Sequence, residues 1–543
     1  MTTISLEHFL KAAIEIGENG DNDTLPYGID AQFVRESAEE LSKIAYKLFC
    51  EIDKKSEKAA AEYVNGLQIF SERLLVPTGA SGFRVTTKIH PFWNIYLNGL
   101  GLCIAEQNES KRAATAHSYR LGTHAPHFFD RARLWRAYKE ATLTDAALQN
   151  EGAVVVQTDV SSFYEHIYHH RLENCIKDLF PAKSTTAVQI ARFLSKLASG
   201  RSFGLPVGGQ CSRILAEVMM SPIDQSLSDA GLVWHRYVDD FTLICKTQQD
   251  SYRALSVLSH TLADYGLSLN RTKTTILTAK HYQDYVDVQL GKSDDKSVAL
   301  REIDLHFDPY SDSAVKEYSK LKETVAKLDI EFLLDLERNK TQPDTFVVAQ
   351  ISRTLKFQSA QTAINLCKTI LDPENLNAFR ASWSTIMRGI NAVRANEEFK
   401  DIFDEIDSLL DNLPSSVSHL LLPEANVLHY LPAIRFSRTE RRGRFLRDLY
   451  DQTRSETVRS ACINCWRHWQ DRPSFNRLRN QWQNLGSEEQ RILWLASAKF
   501  GEEGKHARSQ LRPTLSQAWR LGFELGGGPS FADLYSSWAE HVI

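Results

Sequence analysis

The residues best suited to chemistry in this sequence are aspartates. Asp159 closes the run Val154-Val155-Val156-Gln157-Thr158-Asp159, and Asp239-Asp240 follows Tyr237-Val238 further along. Adjacent acids at a tight turn repel each other unless something positive sits against them. Two divalent cations supply that charge, and paired metals are a usual way of organising phosphoryl transfer to a hydroxyl. Mg2+ prefers few carboxylates together with substrate phosphates. An Asp-Asp turn alone is more often ordinary solvated turn chemistry, so the pair gains weight only from its neighbours. Between the acids, Gly204-Leu205-Pro206-Val207-Gly208-Gly209-Gln210 runs into Ser212-Arg213-Ile214-Leu215-Ala216-Glu217. Its glycines let a backbone approach a base or ribose closely.

Strands must hold these acids. The β-branched run at 153–156 predicts a buried strand ending on Asp159, with a helix starting near Phe163. Leu232-Val233-Trp234 and Phe241-Thr242-Leu243-Ile244 predict a strand pair with Asp239-Asp240 at its tip. Residues 1–75 read as helices, with Phe33, Leu41, Ile44 and Leu48 at helical spacing. From about 315 the pattern is almost wholly helical. Stretches such as 315–337 and 345–371 are broken by segments such as Asp372-Pro373-Glu374-Asn375, and helix pairs of this size can stack as a solenoid. The break between the two parts falls near 285–310, where Lys292 to Ser297 is loop-like.

With 543 residues, 43% hydrophobic and 24% charged, the chain is globular in composition and long enough for two or three domains. Eight scattered cysteines point to a reduced compartment, and the N-terminus lacks the basic region of a signal peptide. No run approaches the roughly 18 apolar residues of a membrane span, so a soluble cytoplasmic protein is expected. The net charge of −4 conceals an asymmetry: Arg435 to Arg520 holds 18 Lys/Arg against 9 Asp/Glu. That surplus suits a polyanion, or an arginine-rich surface paired within itself. Its densest part is Arg438, Arg441, Arg442 and Arg444. The acidic run from Glu397 to Asp411 reads as a solvated helix face.

Other motifs fail. Gly291-Lys292-Ser293 ends like a P-loop, but Val286 stands where that motif needs glycine. Cys462 and Cys465 lack a second ligand pair at zinc spacing and read as core residues of a helix.

In order, a strand ending on aspartate, a Gly-Pro-Gly loop entering a helix and an Asp-Asp hairpin make the core of a polymerase palm. These segments resemble motifs A, B and C of reverse transcriptases, the last as Tyr237-Val238-Asp239-Asp240. Gly266-Leu267-Ser268-Leu269-Asn270-Arg271-Thr272-Lys273-Thr274 is similar to motif D. His117-Ser118-Tyr119-Arg120-Leu121, Trp135, Asp159 to Tyr164 with Ile167-Tyr168-His169-His170, and Gly204 to Gly208 with Ser212-Arg213 look like the bacterial abortive-infection and related defence-associated reverse transcriptases. The resemblance covers about residues 84–276. It implies an α+β chain: an N-terminal helical segment over 1–75, fingers and palm over 76–290, a linker over 291–314 and an α-helical, HEAT-like repeat domain over 315–543.

By the same resemblance Asp159, Asp239 and Asp240, with Val160, hold two Mg2+ ions, for which Mn2+ is a substitute. Tyr164 matches the aromatic gate that excludes a ribose 2′-hydroxyl; the plainer alternative is a core aromatic at a helix start. Lys273 matches the lysine that protonates departing pyrophosphate, or is a solvated surface lysine. Arg120, with Lys88 or Arg84, lies where the fingers present cations to the triphosphate, and Pro206, Val207 and Gly208 line the nucleotide. Val207 stands where many template-copying members have glutamine, a departure shared with the abortive-infection branch, whose members can polymerise without a template and in some cases prime from a protein tyrosine. No segment resembles a three-helix thumb after motif D. The C-terminal half, with Trp466, Trp469, Trp482 and Trp494 among its arginines, would then hold a single-stranded DNA product. The implied activity is an antiviral DNA polymerase taking dNTPs, assembled as a trimer or hexamer. The competing readings are an RNA-templated enzyme with a partner non-coding RNA, and a catalytically silent nucleic-acid-binding scaffold.

Overall fold

The computed structural model describes residues 4–122, 128–130, 135–290, 297–303, 305, 314–512, 519 and 521–542. Four helices open the chain, Leu6–Asn19, Ile29–Glu36, Ala38–Asp53 and Glu57–Gly66, followed by an antiparallel hairpin of β1 (Ser71–Thr78) and β2 (Gly82–Ile89). The 75/76 boundary expected from sequence therefore cuts through β1. The next helix, Pro91–Glu109, is apolar on every side and buried along most of its length, as a central core helix should be. Gly99 lets it touch the first helix: a Cβ there would lie 2.4 Å from the Phe9 ring.

A four-stranded antiparallel sheet carries the acids: β3 (Val154–Asp159), β4 (Val233–Tyr237), β5 (Asp240–Cys245) and β6 (Thr275–Thr278), in the order β4-β5-β3-β6. Val155 faces a small core with Leu148, Ile244, Tyr282 and Val286, while Val156 and Leu243 face the main core. Burial on both faces explains why the strand is a continuous apolar run rather than an alternating one.

The β4–β5 turn is Val238-Asp239, and Val238 has φ +60°. That conformation favours glycine in two-residue hairpin loops and is strained for a β-branched residue. The surroundings impose it. The Val238 N–H donates to Ser118 Oγ at 2.9 Å, and Arg236 Nη1 donates to the Val238 carbonyl at 2.7 Å. Arg236, fully buried, also bonds both oxygens of Asp224 (2.8 and 2.6 Å) and of Glu217 (3.1 and 3.0 Å), acids from one face of the helix Gln210–Asp229. Arg112 and Ser118 complete the shell of Glu217 at 2.7 and 2.5 Å.

Beyond the palm the described residues are helical from Ala314 onward. The helices Ala314–Ala326 and Ile330–Arg338 are separated where Asp329 caps the second, and Ser359 caps Ala360–Leu371 in the same way. Within the expected linker the short helix Val298–Glu302 is described, with Leu300 fully buried; residues 291–296, including the Gly291-Lys292-Ser293 motif, lie outside the described residues. The helical region folds back on the N-terminal part. Glu72 accepts from Thr457, Glu424 from Leu75 N–H, and Phe33 packs against Phe531, Tyr535 and Trp538. Among the described residues no helix is long and apolar enough to cross a membrane.

Removing one member of a buried charge cluster strands the others. Glu217→Ala should cost about 3–5 kcal/mol and lower the thermal unfolding midpoint. Glu140→Ala, which breaks the exposed pair with Arg136, should leave the midpoint within measurement error. Equal midpoints for the two variants would refute the structural weight given to the cluster.

Candidate active site

Asp159 and Asp240 face each other as partners at the end of β3 and β5. Asp239 joins them: its carbonyl accepts from the Val160 N–H at 3.2 Å, and its carboxyl shares a hydrogen bond with Asp159. Three carboxyl groups thus meet on one sheet edge. Burial, then Asp159 and Asp240, push Asp239 up to about 7. Burial and Asp159 also raise Asp240, against the pull of Lys139 and Lys273. Like charges held this close disfavour full ionisation unless a cation is added.

Lys273 supplies part of that charge, its Nζ 2.7 Å from Asp159 Oδ2 on a side chain 66% exposed. Asn270 shapes the turn that brings it there. The Asn270 N–H donates to the Asp159 carbonyl at 2.7 Å, and the Asn270 carbonyl and Oδ1 accept from Lys273 and Thr272. Lys139 was not found from sequence. It is buried on the helix Trp135–Thr144 against the Tyr138 and Trp135 rings, and burial, partly offset by Asp240, brings its ammonium down to about 8. The spacing Trp135, Tyr138, Lys139 on one helix face was its legible signal.

The glycine-rich loop lies alongside. The Leu205 N–H donates to the Tyr164 carbonyl at 2.8 Å, and Ser212 Oγ donates to the Pro206 carbonyl at 2.5 Å. The Val207 carbonyl accepts from the Thr87 N–H at 2.9 Å and Thr86 Oγ1 at 2.8 Å, which ties the loop to β2. The Gly208 carbonyl accepts from the Asp23 N–H. Gly208 has φ +115°, and a Cβ there would lie 2.2 Å from Asn22 Nδ2. Tyr164 is hydrogen-bonded to Tyr119, whose ring lies under Arg213, itself paired with Asp23.

Several expected residues are placed elsewhere. Arg120 is buried, its guanidinium held by Glu109 and by the carbonyls of Ala116 and Ala113, which fixes it within the protein rather than presenting it to a triphosphate. Lys88 is paired with Asp21, while Arg84 is exposed on β2. Arg442 is buried against Asp407 and Asp411, with the Ser437 and Ile434 carbonyls as further acceptors. Two acids of the run expected to be solvated are therefore its counter-charges. Arg438, Arg441 and Arg444 are exposed, Arg438 pairing with Asp471 and Arg444 with Glu440. Trp466, Trp482 and Trp494 are core residues, which removes them as stacking platforms, and Trp469 is half-buried. Cys462 and Cys465 are buried free thiols, as their helix position implied.

The donor set fits hard divalent ions. It consists of carboxylate oxygens on an open edge, and among the described residues no group of three or more His, Cys, Asp or Glu closes around a single point. Such an arrangement leaves ligand positions to water and substrate phosphates.

Residues 110–316 match the family model described as reverse transcriptase (RNA-dependent DNA polymerase). This stretch is a reverse-transcriptase domain. All three aspartates and Lys273 lie inside it, and the all-helical region follows it. Among solved structures, the chain is similar to telomerase from Candida albicans in complex with a fragment of telomeric RNA, at 13% identity and TM-score 0.30, covering 65% of this chain and 68% of that one. It is also similar to apo telomerase from Candida tropicalis, at 13% identity and TM-score 0.31, covering 67% and 68%. No curated protein matches the sequence significantly.

Two predictions follow from the charges. A carboxyl whose proton affinity is raised by folding destabilises the folded state above its folded pKa, and the penalty fades as pH falls toward its ordinary value. In EDTA, Asp239→Asn should therefore unfold at a higher temperature than the parent at pH 8, by about 1–3 kcal/mol of stability, and the gap should close toward pH 4. Mg2+ at pH 8 should stabilise the parent more than the variant. A gap independent of pH would contradict the carboxyl cluster. Separately, Arg442→Gln should cost about 3–5 kcal/mol, whereas the triple glutamine variant of Arg438, Arg441 and Arg444 should keep the parent's melting midpoint.

Proposed function

We propose that the chain is a DNA polymerase of reverse-transcriptase type that joins deoxynucleotides without copying an added template, in the manner of the defence-associated branch its motifs resemble. The observation that carries the polymerase chemistry is the carboxyl cluster of Asp159, Asp239 and Asp240, crowded enough to lift Asp239 to about 7. These three, with the Val160 backbone, would hold two Mg2+ ions. Bound there, the ions would lower the pKa of a primer hydroxyl and neutralise the triphosphate. The protein's own groups do the rest. Lys273, exposed beside Asp159, can give a proton to the departing pyrophosphate. Tyr164, fixed by Tyr119, sets the sugar wall. Arg236 and Ser118 hold the Val238 turn so that Asp239 and Asp240 need not reorganise during the step.

Template independence is supported by what lies on the loop that handles the base in template-copying members. Val207 replaces glutamine there, and Asn22 to Thr24 of the chain's own N-terminal segment cover Gly208. His429 of the helical region in turn donates to the Thr24 carbonyl at 3.1 Å. With the arginines around 438–444 partly paired, a better path for a DNA product is the face bearing Arg353 and Arg388. Both are exposed, and neither has a carboxylate partner among the described residues.

The test is to incubate the purified chain with each labelled dNTP and Mg2+, without nucleic acid. Incorporation is expected, and Asp240→Asn should reduce it at least 1,000-fold, which corresponds to about 4 kcal/mol of barrier. Incorporation only when a primed RNA template is added would replace this reading with a template-copying one.

A further inference from the structure

A cavity of about 430 Å³ lies between the N-terminal segment Leu25 to Gln32 and the helices Glu424–Ile434, Glu456–Trp469 and Ser487–Ser497. It is remote in sequence from the palm motifs, and its two walls differ in chemistry. One wall is apolar, formed by Leu25, Pro26, Ile29, Leu428, Leu431 and Ile492. The other carries Arg435 and Arg467 with Asn464, Ser460 and Asn391, and His468 stands exposed at the rim.

The cationic wall lacks its counter-charge. Arg467 is only 7% exposed; its Nε donates to Asn464 Oδ1 at 2.9 Å and its Nη2 contacts His468 Nε2 at 3.3 Å. Arg435 has a buried Nε without a hydrogen-bond partner and lies over the Phe436 ring. Among the described residues neither arginine makes an ion pair. Ser460 Oγ and Asn391 Oδ1, on the same cavity, are also buried and unpaired. Asp30, Glu488 and Lys88 also line the cavity: Asp30 and Glu488 bind Arg491, Asp21 binds Lys88, and Glu488 Oε1 is buried without a hydrogen-bond partner. Burial lowers the proton affinity of both arginines, and the charge of Arg435 adds to that effect on Arg467. A buried guanidinium group and a half-buried one beside it, neither with an anion, are costly, and buried polar atoms without partners require an explanation.

We infer that this cavity is a binding site for a nucleoside phosphate, its phosphate on Arg435 and Arg467 and its nucleoside against the apolar wall. Guanidinium groups match phosphate oxygens in geometry and charge. The volume lies within the range of small-molecule sites, roughly 300–1,000 Å³, larger than a lone inorganic ion needs. The phosphate can belong to a free nucleotide or to the 5′ end of a strand.

The full-length chain is titrated in EDTA, which keeps the palm carboxylates from contributing through a metal. The probes are dAMP, deoxyadenosine, inorganic phosphate and a thymidine oligonucleotide with and without a 5′-phosphate, followed by calorimetry and by melting temperature. One dAMP per chain is expected, with deoxyadenosine and inorganic phosphate each at least 10-fold weaker. Arg435→Gln and Arg467→Gln should each weaken dAMP at least 10-fold, and Asp240→Asn should leave it unchanged. If the glutamine variants fail to fold, Arg467→Lys, which keeps the charge and loses the fork, should still weaken dAMP measurably. Tighter binding of the 5′-phosphorylated oligonucleotide than of dAMP identifies a strand end, and the reverse order a free nucleotide. The inference is overturned if no phosphate probe binds saturably to the unmodified chain, if inorganic phosphate binds as tightly as dAMP, or if the arginine variants bind as the parent does.

Discussion

One buried guanidinium group fixes the relation between the two halves of the palm. Arg236 sits on β4, one residue before the Tyr237-Val238-Asp239-Asp240 segment, and grips Glu217 and Asp224 on the helix that leaves the glycine-rich loop. The strand bearing two aspartates and the helix bearing the loop are thereby held at a set distance. Glu217 also takes Arg112 and Ser118, which brings the chain before the sheet into the same cluster. A buried ion cluster of this kind contributes little net stability over an apolar core of equal volume. Its effect here is positional, because the same Arg236 and Ser118 hold both polar groups of Val238 in a conformation valine would otherwise avoid.

Charge is arranged in opposite senses across the molecule. At the palm edge, acids crowd together, relieved among the described residues by Lys139 and Lys273. At the cavity beside Arg435 and Arg467, cations crowd together after the local acids have been taken by Arg491 and Lys88. Elsewhere buried charges are matched, as where Arg394 and Arg442 share Asp407. Where buried charge is left unmatched, an external ion or ligand has most to contribute.

The palm was legible because its chemistry depends on local pattern. The Val154–Asp159 strand, the Gly204–Gly209 loop and the Asp239-Asp240 hairpin each carry their signal within a few residues. The misplacements involve partners that a count of charges does not reveal, some of them distant in sequence. Arg120 finds Glu109 and two carbonyls near it, and Arg442 finds Asp407 and Asp411 some thirty residues away. A one-dimensional count of charges cannot distinguish an arginine facing solvent from one facing an acid across two helices. Lys139 was missed because burial against the Trp135 and Tyr138 rings alters it, and only its spacing from those aromatics on the helix hinted at that burial.

The meeting of Phe33 with Phe531, Tyr535 and Trp538 bears on how this chain is made. The Ile29–Glu36 helix completes its apolar contacts only with the last helix, Phe531–His541, and Asp30 waits for Arg491. While the ribosome is still adding the helical region, the beginning of the chain must remain with an uncovered aromatic face and an unpaired acid. Contacts between such distant residues close slowly and leave apolar surface exposed in the interval. The Ile29–Glu36 face is covered only once the Phe531–His541 segment has been made and has folded back on it.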